Sequence, residues 1–198
     1  MEQIDADNPL LLEWLTWWQY GYWLQADESW HPLLPLALPP DAQRYLLTQR
    51  PSLIHSALAI PPTPLGEPQP LALTLSALPV AQRMSLLLLV AEIGGAQTAL
   101  PAALKIWARR VAKGLQPERW LPDGLFHSGA CCGSLQLLQA LWPDLWPRLR
   151  VLFPHELSAS LSADAPIIPV RHLRSLWEAA LWQVQRQPAS QEVADVET

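Results

Sequence analysis

Charge is what this chain has least of. Only 16% of its residues are Asp, Glu, Lys or Arg, against about a quarter in an average soluble protein. The formal net charge is −5, which argues against a dedicated nucleic-acid binder. Cysteine is nearly missing too. The two present, Cys131 and Cys132, are adjacent, a spacing that disfavours a mutual disulfide and does not match a metal-ligand pattern. Two free thiols fit a reducing cytoplasm. The five histidines, His31, His55, His127, His155 and His172, never fall three or four residues from one another or from a cysteine, so no zinc motif is formed. Both GxGxxG and GxxxxGK[ST] are absent, as is the Gly-x-Ser-x-Gly elbow. The longest apolar run, Met84 to Ile93, is too short to cross a bilayer. The acidic start MEQIDADNPLLLEW lacks the basic region of a signal peptide.

What is present is apolar and aromatic. Half the residues are hydrophobic and eleven are Trp. Such a chain can build a substantial core, and its thin complement of charge suggests that a partner covers part of its surface. Tryptophan serves both roles, since its ring packs helices and anchors interfaces. The charge that exists is unevenly placed. Residues 1–82 hold eight acids and only Arg44 and Arg50 as bases, whereas residues 83–187 hold eleven bases and seven acids. Residues 188–198 hold three acids and no base. This polarity could orient the protein between two partners.

The periodicity predicts a mostly α, irregular helical domain with long proline-rich connections and little or no sheet. Asn8 and Pro9 suit a helix start, and Leu11, Trp14, Leu15, Trp18 and Tyr22 recur at helical steps through Asp27. A second apolar face, Leu12, Trp17, Tyr20 and Trp23, makes this helix apolar over most of its circumference, and such a helix is buried or shared. Residues 31–40 carry four prolines and exclude a regular helix. Short helices follow over 41–49 and 51–59. Residues 61–70, with five prolines and a glycine, form a linker or loop. They separate an acidic, Trp-rich front segment (1–60) from a main helical domain (71–187). Leu71 to Leu78 alternates weakly, as a short strand or loop would. Val80 to Ile93 reads as the central core helix, stopped by Gly94-Gly95. Helices are expected from about 98–100 to 113, over 128–142, over 144–151 and over 170–187. Between the last two, Ser158 to Pro169 reads as irregular. A polar tail, 188–198, is expected to be disordered.

Two clusters stand out for binding. Lys105, Arg109, Arg110 and Lys113 share one helix face and suit an acidic protein partner. No aromatic platform is interleaved with them as single-strand binders require. Cys132, near a helix start, has His127 or His155 as a conceivable base, but two small residues at a close helix crossing are the simpler reading. Glu92 on the core helix is expected to cap the helix end, meet a base or point outward. No residue set has catalytic spacing, and neither a cofactor nor a metal is expected.

The stretch SGACCGSLQLLQALW, a short proline-bearing link and LWPRLRVLFP, over Ser128 to Leu157, resembles the K subunit of the cytoplasmic sorting platform of bacterial type III secretion systems. In that family a helix rich in Gly, Ala and Leu leads into a Trp, an Arg-Leu pair and a closing Leu-x-Pro-like end, matched by Trp146, Arg148, Leu149, Leu152 and Pro154. MSLLLLVAEIGG and the loop bearing Trp120 and Pro122 extend the likeness over residues 83–157. The Trp-rich front departs from it. The resemblance implies a non-catalytic cytoplasmic adaptor, peripheral to the inner membrane through its partners. Those partners would be a pod subunit of the platform and the cytoplasmic domain of an inner-membrane ring protein, with no nucleic acid, small-molecule substrate or membrane insertion. Trp146, Arg148 and Arg150 join the basic face as candidate partner contacts. A helical chaperone for secreted effectors, or for a cofactor-containing enzyme, is the alternative.

Overall fold

The computed structural model describes residues 8–33, 39–161 and 165–186, and within these it is mostly helical with no strand. The front segment begins with α1 (Pro9–Thr16), passes through a π-helical turn (Trp17–Gly21) into α2 (Tyr22–Leu24), and reaches a 3-10 turn (Glu28–Leu33). Asn8 caps α1 by accepting from the Leu10 and Leu11 amides, and Pro9 occupies the first helical position, where its missing N–H costs nothing. Next come α3 (Pro40–Gln49), α4 (Pro51–Ala57) and α5 (Pro70–Ala77). Each has proline in its first turn. Residues 71–77 are thus helical, not strand or loop, with Leu78 the extended residue that ends the helix. Leu71, Leu73 and Leu75 invite a period-two reading, yet Ala72, Leu73, Leu75 and Ser76 are all buried, so this segment is apolar all round and its alternation carries no face information.

The core is organised around α6 (Val80–Ile93), which packs against α7 (Ala102–Leu115), α8 (Ala130–Leu141) and α11 (Val170–Gln185). Leu86, Leu87, Leu89, Val90, Ala91 and Ile93 are fully buried, as expected for a helix with no polar face. It stops at a Schellman turn. Gly95 takes φ +95°, while the Ala96 amide donates to Ala91 O at 2.9 Å and the Gly95 amide to Glu92 O at 3.2 Å. Glu92 accepts from both the amide and hydroxyl of Thr98, fastening the loop that follows. Small residues on α8 let it approach α6, and Ser134 Oγ donates to Leu87 O at 2.7 Å. Between α8 and α11 lie α9 (Trp146–Leu149), a 3-10 turn (Arg150–Leu152) and α10 (His155–Ala159). The last falls partly in the stretch expected to be irregular. The tail 188–198 lies outside the described residues.

One continuous buried cluster runs from Trp14 to Val184. The front segment therefore has no core of its own. Trp14, Trp17, Trp18, Tyr22, Trp23 and Trp30 are buried in the same cluster as the main helices. The proline-rich loop is strapped across α1, with Trp14 Nε1 donating to Gly66 O at 2.9 Å. Of the eleven tryptophans, Trp182 alone is more exposed than buried, at 52%. The Trp excess is core.

Candidate interaction surface

Three arginines fasten the front to the back. Arg83 donates from Nε to Leu78 O at 2.8 Å, and from one terminal nitrogen to Gln25 O at 2.7 Å and Leu152 O at 2.8 Å. These carbonyls belong to the ends of α5, α2 and the 150–152 turn, where unsatisfied C=O groups concentrate partial negative charge. One guanidinium thus caps three helix ends. Burial lowers the Arg83 pKa, and the carboxylate of Asp27 opposes that shift.

Arg148 donates from Nε to Trp18 O at 3.1 Å and from a terminal nitrogen to Thr63 Oγ1 at 3.1 Å. Its guanidinium lies over the Trp18 ring, a geometry that suits a desolvated cation. It is 2% exposed. Arg150 is half-buried, donates to Leu58 O and sits over Trp30 with its carbon 5.3 Å from the ring centroid. Burial lowers both arginine pKa values. The sequence reading grouped Trp146, Arg148 and Arg150 as partner contacts. In the fold Trp146 packs against the core, Arg148 is wholly occupied inside, and Arg150 is turned to the front segment. None offers a free guanidinium or indole face comparable to α7. Leu149, Val151, Leu152 and Phe153, in the same stretch, are core residues.

The α7 face is different. Arg109, Arg110 and Lys113 are exposed and Lys105 is half-buried. Leu104, Trp107, Ala108 and Val111 turn inward on the opposite side. Among the described residues none of the four cations has an ion pair or hydrogen bond. Helical spacing sets Ile106 among them, and Ile106 is 50% exposed. The surface is therefore a basic ridge with an apolar centre, held rigid by a 14-residue helix whose end is tied by Trp120 Nε1 donating to Leu115 O at 2.9 Å. Sequence periodicity located the four cations but not the isoleucine among them.

Two clefts open elsewhere. One, of about 360 Å³, is lined by Trp14, Trp18, Leu65, Trp142 and Asp144 among others. The other, of about 610 Å³, lies between Gly94–Gln97 and the loop from Leu121 to His127. Among the described residues no group of three His, Cys, Asp or Glu side chains is arranged to hold a metal ion. Burial pushes the Cys131 thiol up, with Cys132 adding to the effect, the opposite of what a nucleophilic thiolate requires. Cys132 Sγ lies 3.5 Å from Ser160 Oγ in a packed setting. No described helix is long and apolar enough to cross a membrane. No protein-family model, curated protein or solved structure matches the chain.

Proposed function

We propose that this protein is a non-catalytic adaptor that joins two protein partners, and that its place is the cytoplasmic sorting platform of a type III secretion system. There it would link a pod subunit to the cytoplasmic domain of the inner-membrane ring protein and so support export of secreted substrates. The observation that carries the adaptor reading is the α7 ridge. It holds four cations that have no carboxylate partner among the described residues, around an exposed isoleucine, on a rigid helix, in a chain whose arginines at 83, 148 and 150 are all turned inward. Charge complementarity would set register and on-rate, while the apolar centre would supply affinity. The assignment to the secretion platform rests on the resemblance over residues 83–157.

Affinity purification of the tagged full-length protein from its native bacterium, with identification of what is retained, tests both levels. Recovery of the ring protein and a pod protein supports the assignment. Absence of every secretion component under gentle conditions would sink it. The Trp-lined cleft favours a second reading, a chaperone, because about 360 Å³ falls in the range of ligand pockets and would take a few side chains of a client segment. A chaperone would retain one client and neither platform component.

A further inference from the structure

The α7 cations, which have no ion pair among the described residues, have a segment of complementary charge in the same chain. Residues 187–198 read QPASQEVADVET, with Glu192, Asp195 and Glu197, no basic residue, and Val193 and Val196 among the acids. The α7 face offers the inverse pattern, Lys105, Arg109, Arg110 and Lys113 around Ile106. Chain geometry brings the two within reach. Trp120, just past the end of α7, stacks on His172 in the first turn of α11, with centroids 5.2 Å apart and planes at 11°. The two helices also pack on each other. α11 therefore starts beside the end of α7, and the described residues close at Arg186, immediately before the acidic segment. The 14 residues of α7 rise about 21 Å. Twelve residues in extended form reach roughly 40 Å, enough to follow the whole ridge.

We propose that in the free protein the acidic end, residues 187–198, occupies the α7 ridge, and that an acidic partner displaces it. This rests on the reading of α7 as a partner surface. Each surface pair is weak alone, but tethering raises the effective concentration to about the millimolar range. A partner must then compete for the ridge, which would reject weakly acidic surfaces and keep the basic helix from binding indiscriminately.

Zero-length carbodiimide cross-linking of the full-length chain, with peptides mapped from the monomer band, tests the occupancy. The expected result is a set of links joining Lys105 or Lys113 to Glu192, Asp195 or Glu197, suppressed in 1 M salt, where the screening length shrinks to about 3 Å. Neutralising the acids in E192Q/D195N/E197Q should raise the acetylation rate of Lys113 by roughly two- to fivefold, with circular dichroism unchanged. No tail link in the monomer together with equal lysine reactivity overturns the proposal. Links confined to a dimer band also overturn it, assigning the ridge to a second copy. The displacement half is read from retention of partners. The neutralised chain should retain more of the ring or pod protein than the wild type, and equal retention overturns displacement. Loss of every secretion component from both chains would instead count against the adaptor assignment, and the cross-links do not depend on it.

Discussion

The guanidinium carbon of Arg148 lies 4.0 Å from the centre of the Trp18 ring, across 130 residues of chain. The same side chain reaches Trp18 O, in the π-helical turn, and Thr63 on the proline-rich loop. Replacing it removes a cation–π contact and two charge-assisted hydrogen bonds from the interior. Arg148→Ala should lower unfolding free energy by about 3 kcal/mol. Arg148→Lys should recover only a minority of that, because a compact ammonium cannot stack and fork at once. Urea denaturation followed by tryptophan fluorescence reads both. An effect on binding without loss of stability would contradict the buried placement.

Arg83 gives a sharper prediction. Arg83→Met keeps volume and removes the donors, so Leu78 O, Gln25 O and Leu152 O lose their shared partner. The expected cost is about 3 kcal/mol or more. Amide hydrogen exchange should quicken first at the ends of α2 and α5, the helices this residue caps.

The glycines of α7 and α8 should respond in opposite directions. A Cβ on Gly133 would lie 2.4 Å from Phe126 Cδ1 and 2.8 Å from Leu125 O. The backbone oxygen cannot yield cheaply, so Gly133→Ala should destabilise by about 1–3 kcal/mol despite alanine's better helix propensity. A Cβ on Gly114 would meet nothing, so Gly114→Ala should stabilise by roughly 0.5–1 kcal/mol. Thermal melts of the two variants check the pair.

Acid and alkali should each weaken the fold through one contact. Burial, then the Arg148 charge, lowers the His55 pKa, against one backbone hydrogen bond that raises it. The unfolded chain therefore takes up a proton on His55 before the folded one does. That contribution is complete above the unfolded value of about 6.5 and is lost as pH falls through the lowered folded value. Tyr22 stacks near His55, with centroids 6.2 Å apart, and burial raises its pKa. Its contribution is complete below the unfolded value of about 10 and is lost as pH rises beyond that. Denaturation midpoints across pH should fall at both ends, the acid limb flattening in His55→Phe and the alkaline limb in Tyr22→Phe.

Charge reversal on the ridge separates surface from scaffold. Arg109→Glu with Arg110→Glu should abolish retention of the acidic partner while leaving the melting temperature within a few degrees, since exposed charges away from packing contribute little. Unfolding instead would assign the face a structural role.

Much of this fold is written locally. The bounds of α6 follow from an apolar run, a leading proline and two closing glycines, and the inner and outer faces of α7 follow from its period. Two features depend on contacts remote in sequence. Whether Leu71–Leu78 is helix or strand is undecided by a pattern that is apolar at nearly every position, and the burial of the adjacent pairs Ala72–Leu73 and Leu75–Ser76, which a one-faced strand would not give, agrees with the helix. Arg148 and Arg150 look in sequence like Arg109 and Arg110. Only the placement of Trp18, Trp30, Leu58 and Thr63 around them turns two apparent surface cations into interior fasteners. Their setting in LWPRLRVLF, with apolar residues on every side, was the one local sign. The cations of the α7 ridge were legible from period alone, because all four sit on one face of a single helix.

The Arg83 junction also bears on how the chain is made. It unites Gln25, Leu78 and Leu152, and the Trp30 indole donates to Phe153 O. During synthesis Trp30 is made well before Phe153, whose carbonyl it needs and which is translated more than a hundred residues later. At ~5–20 residues per second, that indole lacks its acceptor on the ribosome for several seconds at least. Trp30 is thus made early and housed late, and the interval invites a holdase that recognises aromatic surface.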